Sequence, residues 1–583
     1  MNRSAAATSE GPHYVPPPPP RWLVVAITLA IVLVVAYVVR GIGRIAEGEA
    51  TTTLTDADLS ALTTAVEDRA DRADTSAGTT AEGEPPVVDD SSLDAGEGVI
   101  ESESVTESEP PPELDVRDGV WVDPASSGMP WSALDSVEGL LTFRGNPTRT
   151  FHGRGPVPEQ PMVQWSATIG CSTSFVGGEP KEWCGTGWTG QPLVFRRPGS
   201  PDDADEWWVA VGGYNRAVNF FDPVDGRTVY PPFFTGDIIK GTATIDPDGF
   251  PLLYTGSRDD SLHVVALDRA EPTELWALAA DVGGRTLWNN DWDGASMVID
   301  DLLIVGGENS RFYVVKLNRG YDSDGLVTID PQLLSSVEGW DDQLLNDLGD
   351  VQVSIENSVA VSGSVVYFAN SGGLVQGWDL APVADGGVPE RVFRFWAGDD
   401  IDASVVVDGD GQLYVAAEYE RGTARSRELG QVFRLDPSNP DDPVVWSVEA
   451  NDGLDSGVWA TPALYRDLVL VATDDGRVLG LDRADGSTRW TLTLPGPLWS
   501  SPVVVDDTLI QGDCAGDLHA FNLTDTTVAP DPVWTLPLVG CIESTPAVWD
   551  GRIFVGTRLG TFFGIGEADT EAVDGANATG PED

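Results

Sequence analysis

The sequence predicts an all-β fold, an eight-bladed β-propeller with four-stranded blades, over residues 140–566. Short Val-, Ile- and Leu-rich runs alternate there with Asp-Gly turns, and a unit of roughly 40–60 residues recurs along the stretch. The last unit is one strand short, and a segment ahead of the first unit matches the missing strand. Units of this length with about four strands each are typical of propeller blades, which bury their faces against neighbouring blades.

The repeat is clearest in the last three units. They begin Trp459-Ala-Thr-Pro, Trp499-Ser-Ser-Pro and Glu543-Ser-Thr-Pro, and each continues through an apolar strand and a turn into a third strand. The five weaker copies upstream begin at Thr189, Lys240, Asp293, Glu356 and Asp402. The eight starts are 51, 53, 63, 46, 57, 40 and 44 residues apart, which predicts one ring of eight blades.

The ring is expected to close through its N-terminal strand. The last unit stops after three strands, near Ile565. Residues 161–169, Pro-Met-Val-Gln-Trp-Ser-Ala-Thr-Ile, repeat the outer-strand pattern of residues 531–536 and 443–448. This segment is therefore predicted to supply the fourth strand of the last blade.

A membrane anchor is predicted at residues 22–39, an uncharged run of 18 residues between Arg21 and Arg40. At ~1.5 Å per residue such a helix spans about 27 Å, enough for a thin hydrocarbon core. Because Arg40-Gly-Ile-Gly-Arg follows directly, we expect the anchor to stay uncleaved. We expect residues 1–21, a Pro-rich tail, in the cytoplasm and the propeller outside the plasma membrane. The proline run at 16–20 is a stiff lead-in or a polyproline docking site.

An acidic linker is predicted between the anchor and the propeller. Residues 47–130 hold 22 Asp or Glu and three Arg, with no aromatic residue before Trp121. Such a segment buries too little apolar surface to offset its chain entropy, and its like charges extend it. We therefore expect a disordered linker over residues 40–130, and a disordered tail over residues 567–583.

The net charge of −59, with only three lysines, excludes several classes of partner. Nucleic-acid binding needs clustered cations, and anionic lipid head groups would be repelled. The acidity is explained by a solvated surface, or by attraction of cations or basic partners.

The last blades resemble a known repeat. Residues 480–490, Gly-Leu-Asp-Arg-Ala-Asp-Gly-Ser-Thr-Arg-Trp, resemble the tryptophan docking motif of pyrroloquinoline-quinone (PQQ)-like propeller repeats. Residues 143–147, Phe-Arg-Gly-Asn-Pro, resemble the lead-in segment of such proteins. The resemblance implies a propeller of the quinoprotein alcohol dehydrogenase-like superfamily. That superfamily includes enzymes that bind the quinone and calcium, and non-enzymatic relatives such as the propeller lipoprotein of outer-membrane assembly.

One position per blade is predicted to form a ring at a mouth of the central channel, because first strands line that channel. After Thr189 the ring reads Lys240, Asp293, Glu356, Asp402, Trp459, Trp499 and Glu543. Its carboxylates would suit calcium, with Glu356 and Asp402 as candidate ligands and Glu308, Asn309 and Asn357 nearby. The two Trp could stack a planar ligand. Solvated acids without a specific ligand remain the alternative.

The same resemblance suggests a catalytic base. Residues 288–293, Trp-Asn-Asn-Asp-Trp-Asp, resemble the stretch that supplies the base in quinoprotein alcohol dehydrogenases, which implies that role for Asp293. A bound cation would then polarise PQQ. However, the sequence has no adjacent Cys-Cys pair and no Cys-x-x-Cys-His haem site.

The four cysteines predict disulfides outside the cell. We expect Cys171 to pair with Cys184 in a local loop. Cys514, in a turn of the seventh blade, could meet Cys541 at the start of the eighth. A zinc site is the alternative, although the spacings are poor and histidine is rare.

These observations favour a non-enzymatic role. We expect a monomeric, membrane-anchored propeller that acts as a binding or scaffold module for a cell-envelope protein or a small ligand. The alternative is a PQQ- and calcium-dependent quinoprotein dehydrogenase. An external sensor is a third possibility, but the short predicted tail holds no output domain.

Overall fold

The computed structural model describes residues 114–115, 117, 119–134, 136–176, 178–188, 190–199 and 206–568. The predicted tail at 1–21, the predicted membrane helix at 22–39, most of the predicted linker and nearly all of the C-terminal tail lie outside the described residues. Within those residues no helix is long and apolar enough to cross a membrane.

The described chain forms the eight sheets of a propeller, as predicted, and their strands pair antiparallel apart from Gly153–Arg154, which runs parallel to Ala547–Trp549. Strands are given from the innermost outwards. The first blade comprises Gly139–Leu140 with Leu193–Arg196, Trp207–Gly213, Ala217–Phe221 and Thr228–Phe234. The second blade comprises Thr244–Ile245, Leu252–Gly256, Ser261–Ala266 and Thr273–Ala279. The third blade comprises Met297–Ile299, Leu302–Gly306, Arg311–Lys316 and Gln332–Glu338. The fourth blade comprises Ala360–Ser362, Val365–Phe368, Leu374–Asp379 and Glu390–Trp396.

The remaining four blades follow the same order. The fifth blade comprises Val406–Val407, Leu413–Ala416, Val432–Leu435 and Val444–Val448. The sixth blade comprises Ala463–Tyr465, Leu468–Ala472, Arg477–Asp482 and Thr488–Thr493. The seventh blade comprises Val503–Val505, Thr508–Gly512, Asp517–Asn522 and Asp531–Pro537. The eighth blade comprises Gly153–Arg154 with Ala547–Trp549, Arg552–Gly556, Thr561–Glu567 and Pro161–Thr168.

The ring closes as the sequence predicted. Pro161–Thr168 is the outermost strand of the eighth blade and pairs antiparallel with Thr561–Glu567. Its Trp165 is 8% exposed and donates a hydrogen bond from Nε1 to the carbonyl of Pro223 in the first blade, at 3.2 Å. The first and last parts of the domain therefore share one sheet.

Tryptophans join neighbouring blades, as the docking motif implied. Trp446, in the outer strand of the fifth blade, donates to the carbonyl of Arg483 in the sixth at 3.1 Å. Its ring packs on Gly486, where an added Cβ would lie 2.8 Å from the indole. Gly486 also has a φ of 75°, a left-handed conformation that favours glycine. The turn glycine is thus required both by its backbone and by the tryptophan.

A belt of hydroxyl groups holds the inner strands together. The belt residues lie two positions after the predicted ring residues. In five pairs of neighbouring blades, the backbone N–H of the belt residue in one blade donates to the side-chain hydroxyl of the belt residue in the next. The donor and acceptor pairs are Gln191 to Thr242 (2.8 Å), Ala295 to Ser358 (2.9 Å), and Ser358 to Ser404, Ser404 to Thr461 and Thr461 to Ser501 (each 3.0 Å). Equivalent positions of successive blades therefore face one another around the channel.

Residues 139–154 fill the channel, and we call this segment the channel plug. Residues 141–150 are all buried. Arg144, fully buried, donates to the carbonyls of Pro502 at 2.5 Å and of Thr461 and Pro462 at 2.6 and 2.9 Å. Burial lowers the pKa of Arg144 to about 9. Backbone carbonyls, rather than carboxylates, therefore solvate this guanidinium.

The plug contacts every blade. Arg149, also fully buried, donates to the carbonyls of Val359 and Ala295 at 2.8 and 3.3 Å. The plug reaches the other blades through backbone hydrogen bonds and strand pairing. Its contacts, each written with the plug residue first, are Gly139 with Phe195, Leu141 with Ile245, Pro147 with Val361, Thr148 with Val407 and Gly153 with Val548. The plug acts as the hub of the ring.

Residues 119–130, at the end of the predicted linker, belong to the described chain and lie against the propeller. Val120, Val122 and Trp131 are buried in the core of the first blades, and Val122 exchanges backbone hydrogen bonds with Gly363. Short 3-10 turns cover Pro124–Ser126 and Trp131–Leu134. The acidic composition concealed these few apolar residues, which pack on the propeller.

The remaining elements are short, and both disulfides were predicted. Two helices, Asp342–Leu348 and Ala424–Leu429, and a 3-10 turn, Ala381–Asp385, lie in loops. Small two-stranded sheets pair Cys171–Val176 with Glu179–Cys184, Gly320–Tyr321 with Val327–Thr328, and Glu418–Tyr419 with Ser456–Gly457. Cys171 bonds Cys184, and Cys514 bonds Cys541, so no free cysteine remains.

Candidate functional site

A cavity of about 340 Å³ opens at the channel mouth where the predicted ring lies. Four of the predicted ring residues line it: Lys240, Trp459, Trp499 and Glu543. The other lining residues are Lys181, Trp183, Trp188, Tyr214 and Arg558. We call this space the mouth cavity. Thr189, the first predicted ring position, lies outside the described residues.

A disulfide-closed hairpin, residues 171–184, forms one wall of the mouth cavity. Its Ser172 hydroxyl donates to the carbonyl of Tyr214 at 2.5 Å, and its Ser174 hydroxyl donates to Asp237 at 3.0 Å. These bonds fix the hairpin to the first blade, and the Cys171–Cys184 bond closes its base. The hairpin thereby brings Lys181 and Trp183 to the cavity.

The aromatic side chains of the cavity meet edge to face. The ring centroids of Trp459 and Trp499 are 6.0 Å apart with an interplanar angle of 72°. Trp183 and Tyr214 are 5.3 Å apart, also at 72°. The predicted pair of tryptophans is therefore brought together, but it presents one face and one edge rather than two parallel faces.

Cations outnumber anions on the cavity wall. Arg558 Nη1 bonds both carboxylate oxygens of Glu543, at 2.9 and 2.7 Å, so these two charges balance. The ammonium of Lys181 lies 4.2 Å from the Trp183 ring centroid, a cation–π contact on an exposed side chain. Lys240 adds a third cation to the wall. Two of the three lysines in this acidic chain thus line one cavity.

Lys240 sits among buried acids beneath the cavity. Its Nζ contacts Asp293 Oδ2 and lies 3.0 Å from Glu308 Oε1. Glu308 also accepts from Asn289 at 2.9 Å, and Glu356 lies close enough for carboxylate oxygens of the three acids to fall within 4.8 Å. We call Lys240, Asp293, Glu308 and Glu356 the lysine cluster.

Protonation in the lysine cluster is strongly shifted. Burial would lower the pKa of Lys240, but Asp293 and Glu308 raise it well above its usual value. Burial raises the pKa of Asp293 and of Glu356 well above the ordinary range. Although burial opposes it, Lys240 lowers the pKa of Glu308. Glu308 is therefore the principal counter-ion of the ammonium.

This arrangement bears on the predicted base and metal ligands. Asp293 is 1% exposed, contacts Lys240 and is absent from the lining of the mouth cavity. Glu356 belongs to the lysine cluster, whereas Asp402 groups with Asp400 and Glu418. The two candidate metal ligands therefore belong to different groups of acids, although the charge of Asp402 adds to burial in raising the pKa of Glu356.

Replacing Glu356 with Gln is expected to stabilise the protein more at pH 7.5 than at pH 5. The folded pKa of Glu356 is raised, so its contribution to stability falls as pH rises above the unfolded value of about 4.3. Gln stays neutral throughout. The difference in the free energy of unfolding, variant minus wild type, should therefore be about 1–3 kcal/mol larger at pH 7.5 than at pH 5. Urea unfolding measures it.

Burial acts first on the pKa of Glu356, and the charges of Asp402, Glu308 and Asp293 raise it further, so the comparison reports the release of this group of acids. His152 is buried and its pKa is well below the usual value, which opposes stability in acid, but both proteins carry it. A Glu428→Gln variant, changed at an exposed helix position, should show no such pH dependence. A constant difference between Glu356→Gln and wild type would contradict the raised pKa.

Sequence reasoning missed five residues of the cavity wall. Lys181 and Trp183 lie within the predicted Cys171–Cys184 loop, and a lysine is rare enough in this chain to have marked that loop. Trp188 precedes the first predicted repeat start. Tyr214 and Arg558 lie in turns after second strands, a position that the alignment of first strands did not include.

Comparison with known sequences supports the PQQ-like repeat in part of the ring. Residues 428–529 match the family described as outer membrane protein assembly factor BamB. This match covers the end of the fifth blade, the sixth blade and most of the seventh. No curated protein matches the chain.

Solved structures share the fold. The quinohemoprotein alcohol dehydrogenase ADHIIG from Pseudomonas putida HK5 is 11% identical, with a TM-score of 0.51 over 78% of this chain and 83% of that one. The quinohemoprotein alcohol dehydrogenase from Comamonas testosteroni is 13% identical (TM-score 0.49), with 76% and 82% covered. BamB from Moraxella catarrhalis is 15% identical (TM-score 0.45), with 70% and 98% covered. At these identities the likeness concerns the fold alone.

Proposed function

We propose that this chain is a membrane-anchored, extracytoplasmic propeller that binds a cell-envelope ligand or partner in the mouth cavity. The group bound there combines a flat ring or apolar surface with at least one negative charge. The cavity itself carries this proposal, because it joins five aromatic side chains to three cations in a chain of net charge −59.

The charge balance selects an anion. Glu543 is matched by Arg558, and the lysine cluster matches Lys240, so the exposed Lys181 supplies a cation that the wall does not neutralise. Charged and polar groups at a binding site fix orientation and reject wrong partners, while aromatic walls supply contact area. The predicted acidic linker repels anions in general, and salt screens exposed charges, so the few cations at the mouth attract an anion only at short range.

Site-directed photo-cross-linking tests the proposal in cells that express the full chain. A photo-reactive amino acid at Glu182, the exposed neighbour of Lys181 on the hairpin wall, should give discrete adducts with envelope components. The same residue at Arg466, in the turn at the far end of an inner strand, is the matched position on the opposite face. We expect adduct yield at least about tenfold higher from the mouth position, as for a site that concentrates the binding contacts.

Competing outcomes are distinguishable in the same cells. Equal yield from both faces, or none from the mouth, would contradict binding at the mouth cavity. Retention of the chain in the membrane fraction, and its loss from that fraction when residues 22–39 are deleted, tests the proposed anchor separately.

The residues do not fit a quinone and calcium centre at Asp293. A divalent cation shared by Asp293 and Glu308 would meet the Lys240 ammonium, which contacts both carboxylates. A substrate in the mouth cavity would not reach Asp293, which is buried behind the cavity wall. The dehydrogenase alternative is therefore not the function that this geometry supports.

A further inference from the structure

Three carboxylates converge beside the inner strand of the fifth blade, outside the lysine cluster. Asp400, Asp402 and Glu418 each offer one oxygen, and these oxygens lie within 4.8 Å of one another. Glu418 is 1% exposed. In the part of the chain that the structure describes, one buried oxygen of each residue, Oδ1 of Asp400, Oδ1 of Asp402 and Oε1 of Glu418, has no hydrogen-bond partner.

The backbone holds these side chains in place. Asp400 and Asp402 are two residues apart on the segment that leads into Val406–Val407, a spacing that points both side chains to one side in extended chain. The Glu418 N–H donates to the Asp400 carbonyl at 2.8 Å, which ties the two segments together. Asn357 Nδ2 donates to the Ile401 carbonyl at 3.0 Å and anchors the intervening residue.

The nearest cations of the protein are engaged elsewhere. Lys240 contacts Asp293 and Glu308, and Arg421 bonds Asp350 at 2.7 Å. Buried carboxylates without a partner are costly unless a cation compensates them. The lysine cluster has its compensating ammonium within the chain, whereas among the described residues no Lys, Arg or His forms an ion pair with this second cluster.

We propose that Asp400, Asp402 and Glu418 bind a calcium ion. Hard carboxylate oxygens without His or Cys select calcium or magnesium over transition metals. Calcium takes oxygen ligands at about 2.3–2.6 Å, so two of its ligands lie up to about 5 Å apart, which matches the spread of these oxygens. Magnesium needs ligands at about 2.0–2.1 Å in a compact octahedron, which fits this spacing less well.

The ion binds between the segment that links the fourth and fifth blades and the fifth blade itself. Asp400 and Asp402 follow the outer strand of the fourth blade and precede the inner strand of the fifth. Glu418 follows the second strand of the fifth blade, and Glu418–Tyr419 pairs with Ser456–Gly457. That pairing lies just ahead of Trp459 in the mouth cavity. Calcium therefore stabilises one wall of the cavity independently of any ligand bound there.

Isothermal titration of the chelator-treated full chain in detergent tests the site. Calcium chloride is added in about 0.1 M KCl, which screens the diffuse acidic surface. We expect one saturable site, and magnesium chloride should bind at least about tenfold more weakly, because it demands a tighter ligand shell. Calcium should also raise the thermal midpoint of unfolding until the site is saturated.

Two variants and a control assign the ligands. Glu418→Gln and Asp402→Asn should each weaken calcium binding at least about tenfold and remove the thermal shift. Glu428→Gln, the same chemical change on an exposed helix of the same blade, should bind as wild type does. Without calcium, Glu418→Gln should be at least as stable as wild type, since it removes an uncompensated buried charge, so loss of binding is not loss of folding.

Several results would overturn the calcium site. These are absence of saturable binding, binding in Glu418→Gln that equals wild type, and equal affinity for magnesium. Loss of binding in Glu428→Gln would place the ion elsewhere.

Discussion

Arg144→Met is expected to lower the free energy of unfolding by roughly 4 kcal/mol or more. The guanidinium donates to three buried carbonyls, those of Pro502, Thr461 and Pro462, which belong to two different blades. Each buried acceptor left without a donor costs about 1–3 kcal/mol, and methionine restores the volume without any donor. Urea unfolding, followed by tryptophan fluorescence, measures the loss.

Two further variants separate the hydrogen bonds from the charge. Arg144→Lys keeps the cation but has one donor group, which does not span both blades, so an intermediate loss is expected. Arg227→Met removes a 63% exposed arginine from a surface ion pair and should change stability by less than about 0.5 kcal/mol. A loss below about 1 kcal/mol in Arg144→Met would show that the plug does not hold the ring.

Lys240→Met is expected to destabilise the protein by roughly 3–5 kcal/mol at neutral pH. The side chain of Lys240 is 14% exposed and that of its partner Asp293 is 1% exposed, so the pair is desolvated. Removing the ammonium leaves Asp293 and Glu308 as buried carboxylates without a cation, and both must take up protons or bear repulsion. The free energy of unfolding at pH 7.5 reports the effect.

A second-site change provides the specific test. Adding Glu308→Gln to Lys240→Met removes the principal counter-ion of the ammonium, so the double variant should recover part of the lost stability. Lys316→Met, at an exposed strand position, is the control and should be nearly neutral. If Glu308→Gln worsens the Lys240→Met variant, the lysine cluster is not held by charge compensation.

The fold was predictable because blades repeat. The Ser/Thr hydroxyls at 358, 404, 461 and 501 and the outer-strand tryptophans recur at blade spacing, and each makes the same contact in successive blades. Local pattern therefore determined blade number and strand closure. The packing of Val120 and Val122 on the propeller was not predicted, since isolated apolar residues in an acidic segment leave little periodic signal.

The site was predictable only in part. Aligning first strands placed Lys240, Trp459, Trp499 and Glu543 on one cavity, but it could not show that Lys240 would pair with Asp293. Which acids group together depends on side-chain direction and on loop geometry after second strands, as at Glu418. A non-repeated hairpin supplied the rest of the wall.

The channel plug was not predictable from local pattern. Arg144 and Arg149 bond carbonyls of residues up to 358 positions away, and a carbonyl carries no side-chain signature. Both arginines also have positive φ, 57° and 62°, in a stretch with no periodicity. The resemblance of residues 143–147 to a lead-in segment located the plug without indicating its role.

The plug also sets the timing of folding during protein synthesis. The ribosome completes residues 139–154 before any full blade, yet the acceptors of Arg144 lie 317–358 residues downstream and the partner of the closing strand lies at Thr561–Glu567. Contacts of such long range form late, because the intervening chain must first be ordered. A nascent chain therefore lacks its hub and its closure until the ribosome has synthesised Thr561–Glu567.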